Sequence, residues 1–270
     1  MTATAEDYLD AYDRQLRTDA ETPSADSVTR LGPLRLVTFP GGRGFVTYQD
    51  LAGADRAGIE ALVAGAVEHY RADPQITRVE WKARGHDPAP GLHEALVRNG
   101  FEADETESIM IGEASHLAVD VALPEGVELR RVTSEPDVRA LSMMQEEAFG
   151  EDRFGDEMAE ALLRRLGFGD GMELWVAEAG GEIVSTGRLE PVSGTEFAGI
   201  WGGATRPEWR RQGIYRALTA ARARSALARG KRLIHSDSTE GSRPILERAG
   251  LVKVSTTTPY RWRAAGGHSA

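Results

Sequence analysis

The sequence of 270 residues contains no cysteine. This absence excludes disulfide bridges, a thiolate nucleophile and zinc sites built from cysteine. Positive charge is also scarce, because 32 lysines and arginines face 42 aspartates and glutamates and leave a formal net charge of −10. General binding of nucleic acid needs a broad basic surface, so the charge balance argues against that class of function.

Long apolar runs are missing as well. No stretch approaches the roughly 20 apolar residues of a membrane-spanning helix. The first residues, MTATAEDYLDAYDRQL, are acidic and helical in pattern, whereas a secretory signal begins with basic residues and an apolar run. The sequence therefore predicts a soluble, cytoplasmic protein that has neither a membrane nor a nucleic acid as partner. It leaves a monomer and a homodimer open.

What is present is a succession of amphipathic helices and short alternating strands. Apolar residues at helical spacing predict the helices, and alternation of apolar and polar residues predicts the strands. The main predicted helices cover about 5–18, 53–71, 135–148, 154–167 and 210–229. The predicted strands include 77–83, 127–132 and 197–205, and a loose tail is expected at 264–270. This mixture predicts an α/β (α+β) fold class.

The two halves of the chain end alike. Residues 93–111 (HEALVRNGFEADETESIMI) parallel residues 243–262 (RPILERAGLVKVSTTTPYRW), with Gly100 and Gly250 in matching places. The shared order is consistent with a duplicated fold, although two copies of a common α/β pattern also arise without duplication.

A linker is predicted between the halves. The segment EASHLAVDVALPEG has little helical periodicity and ends in Pro-Glu-Gly, which is typical of a connection between domains. We therefore predict a first domain at 1–115, a linker at 116–126 and a second domain at 127–270.

A local excess of arginine at residues 206–232 stands out against the acidic background. Within it, Gly213 lies between a predicted strand and a long helix. The first turn of such a helix has unpaired backbone N–H groups and the positive end of the helix dipole. A glycine there lets an anion approach the backbone, and Arg210, Arg211 and Arg216 add donors suited to phosphate oxygens. The stretch therefore predicts a binding site for a phosphorylated ligand.

The rest of this helix is interpreted as scaffold. Ile214 and Leu218 recur at helical spacing and predict a face that packs on a sheet. Arg222, Arg224 and Arg229 are assigned to the solvated face, which is the usual meaning of a charge run. A role in binding is therefore expected of the first turn alone.

Two common phosphate-binding motifs do not fit. A Walker-type loop needs GxxxxGK[ST], and the sequence has none. A dinucleotide-binding fold needs a strand, then GxGxxG, then a helix. The best near match, at 167–171, lies between a helix and a strand, which is the reverse order. It is more simply a helix stop.

The residues around Gly213 resemble the GNAT-type N-acetyltransferases. The signature of that family is [Q/R]-x-x-G-x-[G/A] at the head of a long helix, commonly with a strand and a proline just upstream. Residues 205–215 read TRPEWRRQGIY, so Arg210 and Gly213 match, whereas Tyr215 replaces the usual small residue. The resemblance covers about 127–264 in the order and type of elements.

This resemblance implies two GNAT-like mixed β-sheet domains with flanking helices, the second of which binds acetyl-CoA or another acyl-CoA. A strand would pair with the pantetheine arm, and the following turn would offer amides to the pyrophosphate. The implied cofactor-binding residues are Gly203, Ala204, Thr205, Arg210, Arg211, Gln212, Gly213, Ile214, Tyr215 and Arg216. Gly202 and Gly203 suit a bulge that exposes an N–H to the thioester oxygen.

The implied reaction is direct attack of a primary amine, of a small molecule or a peptide, on the thioester, with no metal. A base must take a proton from the ammonium group, and an acid must protonate the leaving thiolate. Glu196 is the first candidate base and His235 the second, while Glu190 and Asp237 stay open. The frequent acid of the family, a tyrosine, aligns with Leu246, so the acid is unassigned.

The first half lacks the signature. Asp50, Asp55 and Glu60 stand where a phosphate loop would precede its long helix, and their charge would repel a pyrophosphate. This half is therefore predicted to be a degenerate copy that supports the fold or walls the substrate cleft. The resemblance as a whole implies a tandem N-acetyltransferase. The alternative is a non-catalytic acyl-CoA-binding or regulatory module, which Leu246 keeps open.

Overall fold

The structure, a computed structural model, describes residues 3–149 and 155–264. The helices are Ala5–Gln15 (α1), Arg56–Arg71 (α2), Leu92–Arg98 (α3), Ala114–Leu117 (α4), Glu135–Phe149 (α5), Gly155–Gly167 (α6), Ile214–Ala228 (α7) and Arg243–Arg248 (α8). The predicted tail lies outside the described residues, apart from Ala264. Within these two ranges, no helix is long and apolar enough to cross a membrane.

Twelve strands lie between and after these helices in the described ranges. They are Ser27–Leu31 (β1), Leu34–Phe39 (β2), Arg43–Thr47 (β3), Arg78–Arg84 (β4), Glu102–Ala103 (β5), Glu107–Glu113 (β6), Val127–Val132 (β7), Glu173–Ala179 (β8), Glu182–Pro191 (β9), Phe197–Thr205 (β10), Leu233–Ser238 (β11) and Val252–Arg263 (β12). The observed bounds of β10 and β7 are those predicted from the alternation of apolar residues.

The chain divides into two compact units. The first takes the chain up to Ile109, the segment Asp237–Glu240 and the chain from Lys253 on, and the second takes Met110–Ser236 and Gly241–Val252. This division differs from the contiguous domains expected from the sequence, because the last strand belongs to the first unit. A local pattern shows that a strand forms, but its partner is chosen by contacts between residues far apart in sequence.

In the first unit, β1, β2, β3 and β4 lie side by side, and β12 pairs antiparallel with β4. The neighbours β3 and β4 are parallel, and α2 connects them. The predicted stripe of α2, with Ile59 and Val63, is buried against Trp81 and Leu36 in one apolar cluster. The helical spacing of the sequence therefore marks the face that covers this sheet.

In the second unit the strands lie in the order β11–β10–β9–β8–β7. β7 to β10 form an antiparallel meander, and β10 is parallel to β11, to which α7 connects it. Val176 packs in a cluster with α5 and α6, whereas Ala177 packs with Leu218 of α7. Successive residues of a strand point to opposite faces. The two sets of helices therefore cover opposite faces of the sheet.

The two units repeat one order of elements. Each has a long helix, α2 or α7, between two parallel neighbouring strands, and then a short helix, α3 or α8. The short helices end before Gly100 and Gly250, which have φ of +89° and +96°. The predicted α/β class, with mixed sheets and flanking helices, is confirmed.

Candidate active site

The strand β10 is irregular at the place where the sequence predicts a bulge. Its pairing with β9 is regular up to Trp201 and shifts register before Ala204. The two residues between them are Gly202, which has φ of +58°, and Gly203. A glycine adopts this left-handed conformation without the steric cost that a side chain would add. The bulge predicted at these two glycines is confirmed.

The pairing of β10 with its parallel neighbour β11 ends before the bulge. The pairing of β10 with β11 covers Phe197–Gly199, where Gly199 stands opposite His235, although β10 continues to Thr205. The part of β10 that carries the bulge is therefore not paired with β11. Ligands of α/β proteins bind beyond the carboxyl ends of parallel strands, where neighbouring strands diverge.

A tight turn leads from β10 into α7. Pro207–Trp209 form a 3₁₀ turn, Arg211 has φ of +63°, and Gly213 precedes the helix with φ of +82°. No side chain caps this helix. The N–H groups of its first turn are therefore available to an anion, and the helix dipole favours one there.

The arginines of the turn fall into two groups. Arg210 donates from Nε to the Thr205 carbonyl at 3.0 Å, and Gln212 donates to the Glu208 carbonyl at 3.0 Å, so both brace the turn. Arg211 and Arg216 are exposed, and neither side chain has a hydrogen bond or ion pair with the parts of the chain that the structure describes. The guanidinium groups of Arg211 and Arg216 are therefore available to a ligand beside the uncapped N-terminus of α7.

The corresponding helix of the first unit, α2, begins among carboxylates. Asp55 caps α2, and its Oδ1 accepts from the Gly58 N–H at 2.8 Å. Asp50 accepts from the Ala52 N–H at 2.7 Å just upstream. One carboxylate thus occupies an N–H group of the first turn of α2, and a second carboxylate lies just upstream, where its charge opposes a phosphate. This agrees with the interpretation of the first half as a degenerate copy.

The residues predicted to bind the cofactor lie on one continuous segment. Gly203, Ala204 and Thr205 end β10, and the others follow through the turn to Arg216 in the first turn of α7. Ser185 of β9 holds the strand end, because its Oγ donates to the Ala204 carbonyl at 2.7 Å and lies 2.8 Å from Thr205 Oγ1. The structure therefore brings the ten residues together.

The two candidate bases occupy different places. Glu196 precedes β10 and forms an ion pair with Arg232 at 3.0 Å. It is six residues from Gly202, which is about 20 Å along a strand. His235 is buried beside the bulge, with its ring edge-on to Phe197 at 5.7 Å and to Trp201 at 5.2 Å between centroids. The structure brings His235 to the bulge and leaves Glu196 at the other end.

The other open candidates have basic partners. Glu190 lies on β9 and accepts from Arg165 at 3.4 Å. Asp237 belongs to the first unit, where Lys82 Nζ donates to its Oδ2 at 2.7 Å. Leu246, at the position of the family's tyrosine, is 1% exposed and packs in an apolar cluster. A leucine cannot donate a proton, so this position provides no general acid for the leaving thiolate.

Arg222 is buried, although its place in the charge run predicts a solvated side chain. The expectation of a solvated face is wrong for this residue, which is 1% exposed, although Arg224 is exposed as predicted. Burial lowers the pKa of Arg222 to about 10. The signal was its spacing, because Arg222 lies four residues after Leu218 and eight after Ile214, on the apolar stripe. Gln145 of α5, which contacts the bulge, carried no such signal.

A bulged strand that separates from its parallel neighbour and leads into an uncapped basic turn is the arrangement that the resemblance to GNAT-type acetyltransferases implies. Residues 138–251 match the model of the Acetyltransferase (GNAT) family. This segment of the chain therefore resembles a GNAT acetyltransferase domain, and acyl transfer is the chemistry of that family. No curated protein matches the sequence.

Solved structures share the fold over nearly the whole chain. A GCN5-related N-acetyltransferase from Kribbella flavida has a TM-score of 0.67 at 17% identity and covers 97% of this chain and 95% of its own. A second one, from Sphaerobacter thermophilus, has 0.60 at 17%, with 100% and 96% covered. A tandem GNAT protein from the clavulanic acid biosynthesis pathway, solved without AcCoA, has 0.59 at 17%, with 99% of both chains covered. The chain thus has the fold of tandem GNAT proteins.

Proposed function

We propose that this protein transfers the acetyl group of acetyl-CoA to a primary amine of a small molecule or a peptide. The observation that carries the proposal is the turn before α7. Arg211 and Arg216 are exposed there without partners in the described chain, next to a helix that no side chain caps. Free N–H groups and guanidinium groups together suit a pyrophosphate.

Different residues of this segment would bind different parts of acetyl-CoA. Backbone groups of Gly203, Ala204 and Thr205 would pair with the pantetheine arm as a neighbouring strand does. The turn from Gln212 to Arg216 would hold the pyrophosphate. When bound, acetyl-CoA supplies a thioester that a neutral amine attacks, with the thiolate as leaving group. The bulge would offer an N–H to the oxygen on which negative charge develops.

The position of His235 favours this residue as the base. Its ring lies beside the bulge, and a histidine exchanges protons near neutral pH more readily than other side chains. Glu196 would have to act from the other end of the strand. A cationic amine is the acceptor that the net charge of −10 favours, because an acidic protein attracts cations.

Calorimetric titration with acetyl-CoA tests the binding half of the proposal. Arg211→Glu places a negative charge at the turn, and we expect it to weaken binding about 30-fold or more. The matched control is Arg224→Glu on the exposed face of the same helix, which we expect to leave Kd within about threefold. Equal effects of the two changes, or no binding by the wild type, would contradict the proposal.

The alternative function is a non-catalytic acyl-CoA-binding or regulatory module. It is favoured by Leu246, which is buried in an apolar cluster where the family commonly has its acid. Release of free thiol from acetyl-CoA, measured over a panel of small-molecule and peptide amines, separates the two functions. Turnover of any amine supports the transferase. Tight binding without turnover over the panel supports the module.

A further inference from the structure

Arg222 is a buried cation that has no carboxylate partner in the described parts of the chain. Within its own helix it donates from Nε to the Leu218 carbonyl at 3.3 Å and from Nη2 to Thr219 Oγ1 at 3.1 Å. It also donates to the carbonyls of Arg188 at 3.2 Å and Trp201 at 3.4 Å. A guanidinium in a protein interior is normally paired with an acid, because the loss of hydration is expensive. Its burial here calls for a specific reason.

The guanidinium lies against the bulge of β10. Trp201 and Arg188 face each other as the last regular pair of β10 and β9 before the register shifts. One nitrogen of Arg222 donates to both of their carbonyls. Gly187 leaves the space for it, since a Cβ there would stand 2.6 Å from Arg222 Cζ. Arg222 therefore holds the first peptide of the bulge from the side of α7.

The next peptide of the bulge is held from the opposite face. Gln145 of α5 is 5% exposed and donates from Nε2 to the Gly202 carbonyl at 2.5 Å, and Thr186 Oγ1 donates to the same oxygen at 3.2 Å. Because α5 and α7 cover opposite faces of the sheet, two successive carbonyls of the bulge accept from opposite sides. The orientation of both peptides is thereby set by side chains.

Orientation of a carbonyl also sets the N–H of the same peptide. In a trans peptide the N–H points away from the C=O, so the bond from Arg222 to the Trp201 carbonyl aims the Gly202 N–H away from α7. A cation at the carbonyl also polarises the peptide and strengthens the N–H as a donor, most of all where water is excluded.

We infer that Arg222 is a positioning residue for acetyl transfer. It orients and polarises the Trp201–Gly202 peptide, so that the Gly202 N–H stabilises the negative charge that develops on the thioester oxygen. This inference rests on the proposed function and assigns a role to a residue that does not contact the substrate itself.

The test compares Arg222→Met, which keeps the length of the side chain and removes its charge, with Arg224→Met on the exposed face of the same helix. Acetyl-CoA labelled with carbon-13 at the thioester carbonyl is bound to each protein, and infrared difference spectroscopy measures the carbonyl stretch. Calorimetry measures Kd, and thiol release with an accepted amine measures kcat and KM.

In the wild type and in Arg224→Met we expect the bound stretch at lower wavenumber than in free acetyl-CoA. Arg222→Met is expected to bind acetyl-CoA within about threefold and to lose this lowering. Its kcat should fall about 100-fold while KM for acetyl-CoA stays within about threefold, as for the loss of one oxyanion donor. A purely structural role would change stability and leave the stretch of the bound fraction lowered.

Two results would overturn the inference: an Arg222→Met protein with a lowered stretch and kcat within threefold, or a wild type that binds with an unshifted stretch. Absence of binding by the wild type would instead contradict the proposed function. Should Arg222→Met not fold, Arg222→Lys carries the test. Its single ammonium lacks the planar fork, so we expect a partial lowering and kcat reduced about tenfold, and unchanged values would overturn the inference.

Discussion

The ring of Tyr215 lies against the backbone of Gly203. A Cβ added to Gly203 would stand 2.6 Å from Tyr215 Cε2, which is closer than real contacts allow. The contact joins the end of the bulged strand to the first turn of α7. The tyrosine that replaces the small residue of the GNAT signature therefore packs on a glycine that makes room for it.

This contact predicts a coupling between the two positions. Gly203→Ala should lower the free energy of unfolding by about 1–3 kcal/mol, because the methyl group overpacks the ring. In the background of Tyr215→Ala the same change should cost about 1 kcal/mol less. Urea denaturation of the four proteins measures the coupling. Gly167→Ala, which meets nothing within 4 Å, serves as control, and additive losses would contradict the contact.

The backbone conformation and the charge of Arg211 predict that replacing it by glycine has opposite effects on stability and on binding. Its φ of +63° is unfavourable for a residue with a Cβ. Arg211→Gly should therefore raise the free energy of unfolding by about 0.5–1 kcal/mol and weaken acetyl-CoA binding, since a cation is lost. Arg210→Gly is the control, because Arg210 has φ of −70° and no such strain to relieve. Thermal denaturation and calorimetry measure the two effects, and a less stable Arg211→Gly protein would refute the assignment of strain.

The positions of His235 and Glu196 predict which residue acts as base. His235→Phe fits between the rings of Phe197 and Trp201, so we expect a folded protein that binds acetyl-CoA. Its kcat with an accepted amine should fall about 100-fold. Glu196→Gln should keep kcat within about threefold, because that carboxylate lies at the far end of the strand. The reverse pattern of kcat values would assign the base to Glu196.

The hydrogen bonds of the buried Glu173 carboxylate predict that its contribution to stability depends on pH. Its side chain is 4% exposed and accepts from Arg229 at 2.6 Å, from Ser225 at 2.9 Å and from the Trp175 indole at 2.8 Å. Burial opposes the charge, but these hydrogen bonds outweigh burial and lower the pKa of Glu173 below its ordinary value. The stabilisation by the ionised form is therefore complete above the pKa of an unfolded glutamate and is lost as the pH falls through the folded pKa.

Glu173→Gln should accordingly cost about 1–3 kcal/mol of unfolding free energy at pH 7. The difference from the wild type should shrink steadily below about pH 4.3, the ordinary pKa of glutamate. Urea denaturation between pH 7 and pH 3 measures it, with the exposed Glu182→Gln as a control expected to stay within about 0.5 kcal/mol. A difference that does not change with pH would show that the charge of Glu173 contributes nothing.

Local sequence determined the elements and the shape of the turn that is proposed to bind phosphate. The bounds of β10 and the stripe of α7 follow from periodicity, which acts over a few residues. The bulge at Gly202 was implied by the resemblance to GNAT proteins, which the two glycines suit. The uncapped start of α7 at Gly213 was readable from the sequence. For Asp55 the sequence indicated only the negative charge, and the structure showed that this residue caps α2.

Tertiary structure alone decided what lies around that turn. Pairing assigns β12 to the first unit, and the length of β10 separates Glu196 from the bulge while β11 brings His235 to it. The burial of Arg222 against the Trp201 carbonyl depends on a strand some twenty residues upstream. Such contacts join residues distant in sequence, so no local pattern contains them. The residues that hold the bulge in place are therefore visible only in the folded chain.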